Sequence, residues 1–524
     1  MPKLPIDSFA TAIMSSSKAA ASRTMSVRSR SMQVSASAKS KALSYESINH
    51  AVRNAEYAVR GAIPIRAEQL KLILDKDPGS LPFKKIIHCN IGNPQALKQK
   101  PVTFFRQVVS LCTNPDLLKE ENREDVLKLY PEDAIERAHK YFEKGGTVST
   151  GAYTHSQGMP VIRESVAKFV EERDGFPTSP DRLFLTNGAS AGVQMILNLL
   201  SANPKVGVMI PIPQYPLYSA TMAMVNGTAV PYYLDESLGW SISIPELERA
   251  KEEAENLCVS TKALVIINPG NPTGQCLTWD QMENIIKFCH RNSLVLMADE
   301  VYQANIYNDD LPFHSFRKVL KSMPMQFQDL ELISFHSTSK GMIGECGMRG
   351  GYMHLTNIEP DVQAEIYKCC SIQLCPNVPG QIMTDLMINP PKEGDASYQT
   401  FKDENNTILE SLKRRAAKLV TAFNSMENIT CEPSSGAMYA FPNIALPQRA
   451  IDAAADHNVK PDAFYCLQLL EETGVCTVPG SGFKQVPGTF HFRATFLPLE
   501  EDFDHFIGLI SDFNTKFMEK YRSE

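Results

Sequence analysis

Apolar and polar positions along the chain divide it into short buried runs separated by amphipathic stretches. Residues Arg182–Thr186, Val206–Ile210, Ala263–Asn268, Ser293–Ala298 and Leu332–Phe335 are runs of four to six mostly apolar residues. Between them, segments such as Ala189–Leu200 and 278–292 carry the three-to-four-residue spacing of helices, while Val206–Ile210 leads into Pro211–Tyr218. Short, uninterrupted apolar strands alternating with helices describe a mainly parallel sheet covered on both faces, an α/β fold. Ligands of such sheets gather at the carboxyl ends of the strands.

Before this region, Tyr45–Leu74 has helical spacing, Ile86–Ile91 reads as a short strand, and 102–144 is mostly helical and polar, interrupted by Pro115 and Pro131. After it, a charged helix is expected over about 397–425, followed by a smaller α+β unit with strands at Ala437–Phe441, Val475–Val478 and Thr489–Phe496. Four segments follow: a leader 1–42, an arm and part of a small domain 43–97, a large domain 98–374, and a carboxyl-terminal small domain 375–524. There is no internal repeat.

The 524 residues, 43% hydrophobic and 21% charged with net charge −7, suffice for a large core and two or more domains. No basic stripe interleaved with aromatics argues for nucleic acid, and no apolar run of 18 residues argues for a membrane span. The charge is uneven: residues 1–42 hold seven Lys/Arg, eleven serines and one acid, Asp7. That composition resembles an organelle transit peptide, mitochondrial first and plastid second, with a disordered cytosolic tail as the alternative. Twelve scattered cysteines without Cys-x-x-Cys or His/Cys ligand spacing read as reduced, mostly buried thiols, and no metal site is expected.

Chemistry concentrates after the strands. His336-Ser-Thr-Ser-Lys340-Gly-Met-Ile-Gly follows the Leu332–Phe335 run, and Arg349 lies nine residues beyond the lysine. A lysine in a hydroxyl-lined turn suits a nucleophilic amine, and serines with an arginine suit a phosphate. Alone, the same string is an ordinary surface turn. Asn268-Pro-Gly-Asn271-Pro-Thr-Gly274 directly follows a buried strand, with two prolines and two glycines fixing a tight turn. Asp299-Glu-Val-Tyr302 closes the next strand, either as a helix cap or as a carboxylate for a ring nitrogen. Thr186-Asn-Gly-Ala189-Ser190 joins a strand to a helix amino terminus, which favours an anion. Tyr215 is core aromatic or a ring stacked on a planar group.

Together these strings resemble the fold-type I, pyridoxal-phosphate-dependent aminotransferases of class I/II over about residues 43–520. The resemblance implies a large domain with a mainly parallel seven-stranded sheet flanked by helices and a smaller α+β domain. It implies that Lys340 binds the cofactor covalently and serves as base, with Asp299 at the pyridinium nitrogen. Asn271 and Tyr302 would bond the cofactor's phenolic oxygen, and Tyr215 would stack on the ring. Ala189, Ser190, Ser337 and Arg349 would hold the phosphate, and Tyr153 would reach a phosphate across a homodimer interface. Arg493 would clamp the substrate carboxylate, with Gly92 closing over the substrate. One departure stands out: nine residues separate Lys340 and Arg349 where eight is usual. The strings Gly344-Glu-Cys-Gly-Met-Arg-Gly-Gly351, Asn90-Ile-Gly-Asn-Pro-Gln95 and Gly151-Ala-Tyr-Thr-His-Ser-Gln-Gly158 resemble the alanine aminotransferase subgroup, as does the insert 98–150, expected to be a helical flap or interface element. That subgroup implies an exchange between amino acids and 2-oxo acids, L-alanine with 2-oxoglutarate, or with glyoxylate as the alternative acceptor.

Overall fold

The protein is described from a computed structural model, over residues 43–57 and 61–522. The leader expected at 1–42 lies outside the described residues. In chain order the strands are β1 (Ile87–His88), β2 (Leu183–Leu185), β3 (Val206–Ile212), β4 (Thr228–Tyr233), β5 (Ser260–Ile267), β6 (Val295–Asp299), β7 (Leu332–Ser337) and β8 (Gly351–Thr356). The shorter β9 (Ile429–Thr430), β10 (Tyr439–Ala440), β11 (Asn443–Ile444), β12 (Val475–Cys476), β13 (Val478–Pro479) and β14 (Phe492–Thr495) follow.

A seven-stranded sheet, in the order β2-β8-β7-β6-β5-β3-β4, forms the centre. All neighbours are parallel except across β8, which is antiparallel to both β2 and β7. The side chains alternate between two cores, as a period of two demands. Val208, Ile210, Val265 and Met297 face one core, and Met209, Leu264, Ile266 and Leu296 face the other. Helices Ala189–Leu200 and Trp279–Arg291 fall where the spacing places them, the second opened by a reciprocal cap between Thr278 and Gln281. The third strand runs to Ile212, past Ile210, and its helix is Leu217–Met224 rather than Pro211–Tyr218.

Two sheet strands, β4 and β8, have no counterpart in the apolar pattern. β4 is an edge strand interrupted by Pro231, a residue tolerated there because no neighbour needs its N–H. β8 buries His354 within the sheet, where its Nε2 meets the Thr178 hydroxyl at 2.8 Å. The reversal at β8 has a positional result. Ser337 pairs with Gly351 across β7 and β8, so the loop between them leaves and re-enters the sheet at one edge of the same site.

The long helix Tyr398–Asn424 and the helix Phe503–Tyr521 enclose the carboxyl-terminal strands. The stretch expected as one strand at Val475–Val478 is two: Val475 pairs with Ile87, whereas Val478 pairs with Arg493. The insert packs as helices Thr103–Thr113 and Glu132–Lys144 against Pro160–Asp174 and Val378–Ile388, through Val108, Ile135, Ile162 and Ile382. It is a seated layer with its own buried core. Arg106 donates to both oxygens of Glu345 at 2.9 and 3.0 Å, and Gln99 Nε2 donates to the Met342 carbonyl at 3.0 Å. The insert thus braces the loop that follows Lys340.

Candidate active site

A cavity of about 360 Å³ opens at the carboxyl ends of β5, β6 and β7. Asn271 enters it from the turn after β5, Asp299 ends β6, and Ser337 ends β7 with Lys340 in the turn beyond.

Asp299 forms the floor. Tyr218 donates to its Oδ2 at 2.7 Å, while Oδ1 is buried with no partner among the described residues. Burial pushes this carboxyl above its ordinary value, against the Tyr218 hydroxyl, the Val301 N–H and the Lys340 charge. An acceptor without a donor inside a protein is costly, so an N–H from a bound group fits Oδ1 well. The half-buried Lys340 has its Nζ 3.4 Å from the Gly92 carbonyl and 5.9 Å from the centre of the Tyr302 ring. Tyr302 accepts from Asn271 Nδ2 at 3.4 Å, and burial holds its phenol well above the ordinary range.

One end of the cavity is built for an anion. Helix Ala189–Leu200 presents its first N–H groups there, after Gly188 at φ 79°. Arg349 donates to the Asn187 carbonyl at 2.9 Å, to Ser190 Oγ at 3.3 Å and to Ser339 Oγ at 3.1 Å. A β-carbon at Gly188 would collide with the Arg349 guanidinium. Among the described residues Arg349 bonds carbonyl and hydroxyl oxygens only, and no carboxylate neutralises it. Ser337 lines the cavity, but its hydroxyl donates to the Gly350 carbonyl and receives the Ser339 N–H.

The opposite end holds Arg493, on β14 and 1% exposed. Its Nη1 donates to Asn271 Oδ1 at 2.9 Å and its Nη2 to the Asn90 carbonyl at 2.5 Å. Its face lies 4.1 Å from the Tyr439 ring and 4.6 Å from the Phe483 ring, and its Nε is buried without a partner among the described residues. A fully buried guanidinium bonded only to neutral oxygens is prepared for a carboxylate.

Ala189, Ser190, Tyr215 and Gly92 also line this cavity, so the fold brings together every sequence-derived residue except Tyr153. Tyr153 is 75% exposed and lies outside the lining. Its segment packs beside a strip of its own chain: His155 faces the Tyr367 ring at 5.5 Å, and the Thr154 N–H points at Cys375. Tyr215 contributes more than a ring, since its hydroxyl meets that of Tyr57 at 2.8 Å.

A family model described as aminotransferase class I and II matches residues 106–510. The chain belongs to that aminotransferase family. Among curated relatives it is 52% identical over 489 residues to a probable mitochondrial alanine aminotransferase of Dictyostelium discoideum, covering 92% of this chain and 90% of that protein. It is 50% identical over 484 residues to glutamate–glyoxylate aminotransferase 2 of Arabidopsis thaliana, covering 92% and 98%. The fold is similar to that of an alanine aminotransferase from Pyrococcus furiosus, with TM-score 0.69 and 22% identity, covering 90% of this chain and 100% of the other. It is also similar to an aspartate aminotransferase from Thermotoga maritima, with TM-score 0.64 and 21% identity, covering 89% and 99%.

Within this aminotransferase site, Tyr218, Ser339 and Tyr439 escaped the sequence reading. Ser339 was visible in the Ser-Thr-Ser-Lys string, but which serine hydroxyl meets Arg349 depends on the turn. Tyr218 and Tyr439 sit in apolar segments where an aromatic reads as core.

Proposed function

We propose that this aminotransferase uses pyridoxal 5′-phosphate to exchange an amino group between L-alanine and 2-oxoglutarate, forming pyruvate and L-glutamate. The observation that carries the reading is the opposition of the Lys340 amine and the orphaned Asp299 oxygen across one cavity, with an unneutralised arginine at each end.

The residues fit the cofactor. Arg349, Ser190, Ser337, Ser339 and the first N–H groups of helix Ala189–Leu200 would take its phosphate. Asp299 Oδ1 would accept the N–H of its protonated ring nitrogen, Asn271 and Tyr302 would bond its phenolic oxygen, and Tyr215 would cover its ring. Bound there, the cofactor supplies the electron sink that lets an amino group leave one carbon skeleton and join another. Lys340 would hold its aldehyde and, with its amine free when an amino acid is bound, would be the base that takes the Cα proton and gives it up on the far side of the amino nitrogen. Arg493 holds the α-carboxylate so that the Cα–H bond faces Lys340, and the Gly92 backbone covers the substrate and excludes water. Amino acid and 2-oxo acid use the same place in turn, which gives ping-pong kinetics.

The exposed strip Val148, Tyr153, Tyr367, Ile372 and Leu374 supports a homodimer in which Tyr153 serves the neighbour's phosphate site. Asn377, just past this strip, bonds Asn187 beside Arg349, so the strip borders the anion end. The leader composition and the relatives named mitochondrial support the mitochondrial matrix, with plastid and cytoplasm as alternatives. No helix of the described residues is long and apolar enough to cross a membrane.

Borohydride reduction of the native holoprotein should leave the cofactor attached to Lys340 on peptide mapping, and an unlabelled Lys340 overturns the mechanism. A panel of alanine, aspartate and glutamate against pyruvate, 2-oxoglutarate and glyoxylate tests the substrates. Glyoxylate is the second reading, favoured by the similarity to the Arabidopsis glutamate–glyoxylate enzymes. Faster turnover with glyoxylate than with 2-oxoglutarate would establish it instead.

A further inference from the structure

Among the polar side chains that line the cavity, Tyr439 has no place in the mechanism so far. Tyr439 is 1% exposed, and its register partner across the β10–β14 pair is Thr495, two residues from Arg493. Its ring lies under the Arg493 guanidinium at 4.1 Å, and its hydroxyl receives the Tyr302 hydroxyl at 3.2 Å. Tyr302 in turn accepts from Asn271, and Asn271 accepts from Arg493. The four side chains close a circuit joining the carboxylate-binding end to the cofactor-binding wall. Gly92 seals its open side, because a β-carbon at that position would collide with the Tyr439 hydroxyl. The Gly92 carbonyl is also the acceptor for Lys340 Nζ.

Resting on the cofactor reading above, we propose that Tyr439 is a positioning residue for the transamination. Its hydroxyl, between Tyr302 and the Gly92 backbone, keeps the Lys340 amine aimed at the Cα of an amino acid held by Arg493. The chemistry gives such a group a task. Lys340 alternates between ammonium and amine as it carries the proton, and the Gly92 carbonyl can only accept. A phenol both donates and accepts, so it can hold the nitrogen in either state. The surroundings agree: burial alone would push the Tyr439 phenol up, but Lys340, Arg493 and the Tyr302 hydroxyl bring it below the ordinary tyrosine range.

Tyr439→Phe keeps the ring under Arg493 and removes only the hydroxyl. The expected result is a fall in kcat of about tenfold, the low end for a group that aids proton transfer, with KM for alanine changed less than about twofold. The primary isotope effect on kcat with Cα-deuterated alanine should rise, because proton transfer becomes slower than the other steps. Unchanged kcat and isotope effect in a variant with wild-type melting overturn the proposal. A second measurement requires no variant. Ultraviolet phenolate titration of wild-type, cofactor-free protein should show one phenol ionising below the exposed tyrosines, and its absence also overturns the proposal. Failure of the cofactor reading looks different: the wild-type protein would then acquire no visible absorption band with pyridoxal 5′-phosphate.

Discussion

Two adjacent carboxyls, Asp299 and Glu300, are both raised by burial and are stabilised by different neighbours. Asp299 has Tyr218 on one oxygen and is raised by burial, against the Tyr218 hydroxyl, the Val301 N–H and the Lys340 charge. Asp299→Asn should lower kcat on the order of 10²-fold or more, measured by single-turnover kinetics, with far less change in cofactor affinity. Glu300 accepts the Phe316 N–H at 2.8 Å, and burial pushes it to about 7, only partly offset by Arg173. A raised acid binds its proton more tightly when folded than when unfolded. Its contribution is therefore full below the ordinary value of 4.5 and is lost as pH rises through about 7. Glu300→Gln stays neutral and should melt progressively higher than wild type between pH 5 and 8, with a ceiling of about 3 kcal/mol. An equal difference at both pH values contradicts this. Arg493→Lys keeps charge but loses the fork, and should reduce kcat/KM for every amino acid by roughly 10- to 100-fold, as expected for a lost charge-assisted bond.

At the scale of elements, long buried strands followed by glycine- and hydroxyl-rich turns were legible because Ala189, Asn271, Asp299 and Lys340 all lie at or just past the carboxyl ends of such strands. Strands β4 and β8 were not, since Pro231 and the buried Tyr352 and His354 interrupt the apolar pattern and are accommodated only by the finished sheet. Tyr439 shows the same limit at the site, as its meaning comes from β10 lying beside β14. The β7–β8 hairpin also accounts for the extra residue between Lys340 and Arg349. Ser337 and Gly351 are locked in register, so added length is taken up as loop while the guanidinium stays next to β8. The insert, expected as a flap or interface element, holds that loop through Arg106 and Glu345. Arg106→Ala leaves Glu345 unpaired at 3% side-chain exposure, and should cost roughly 1–3 kcal/mol, discounted for the partly exposed arginine. Thermal melting checks the cost, and activity should fall with it because the Lys340 turn loses its brace.

For the whole molecule, the separation of Tyr153 from its own chain's cavity leads to a complementation test. Tyr153→Ala and Lys340→Ala proteins should each be impaired, and refolding them together should restore activity. One mixed site then has an intact Lys340 facing an intact partner tyrosine. No recovery means that Tyr153 acts within its own chain or not at all. The proposed carboxylate grip joins Asn90, Asn271 and Arg493, three points far apart in the sequence. Arg493 follows the lysine, the floor carboxylate and the anion cradle in the chain. A fragment lacking β14 would keep Lys340 and Asp299 yet lose the guanidinium at the far end of the cavity, so the proposed hold on an amino acid exists only where three distant segments meet.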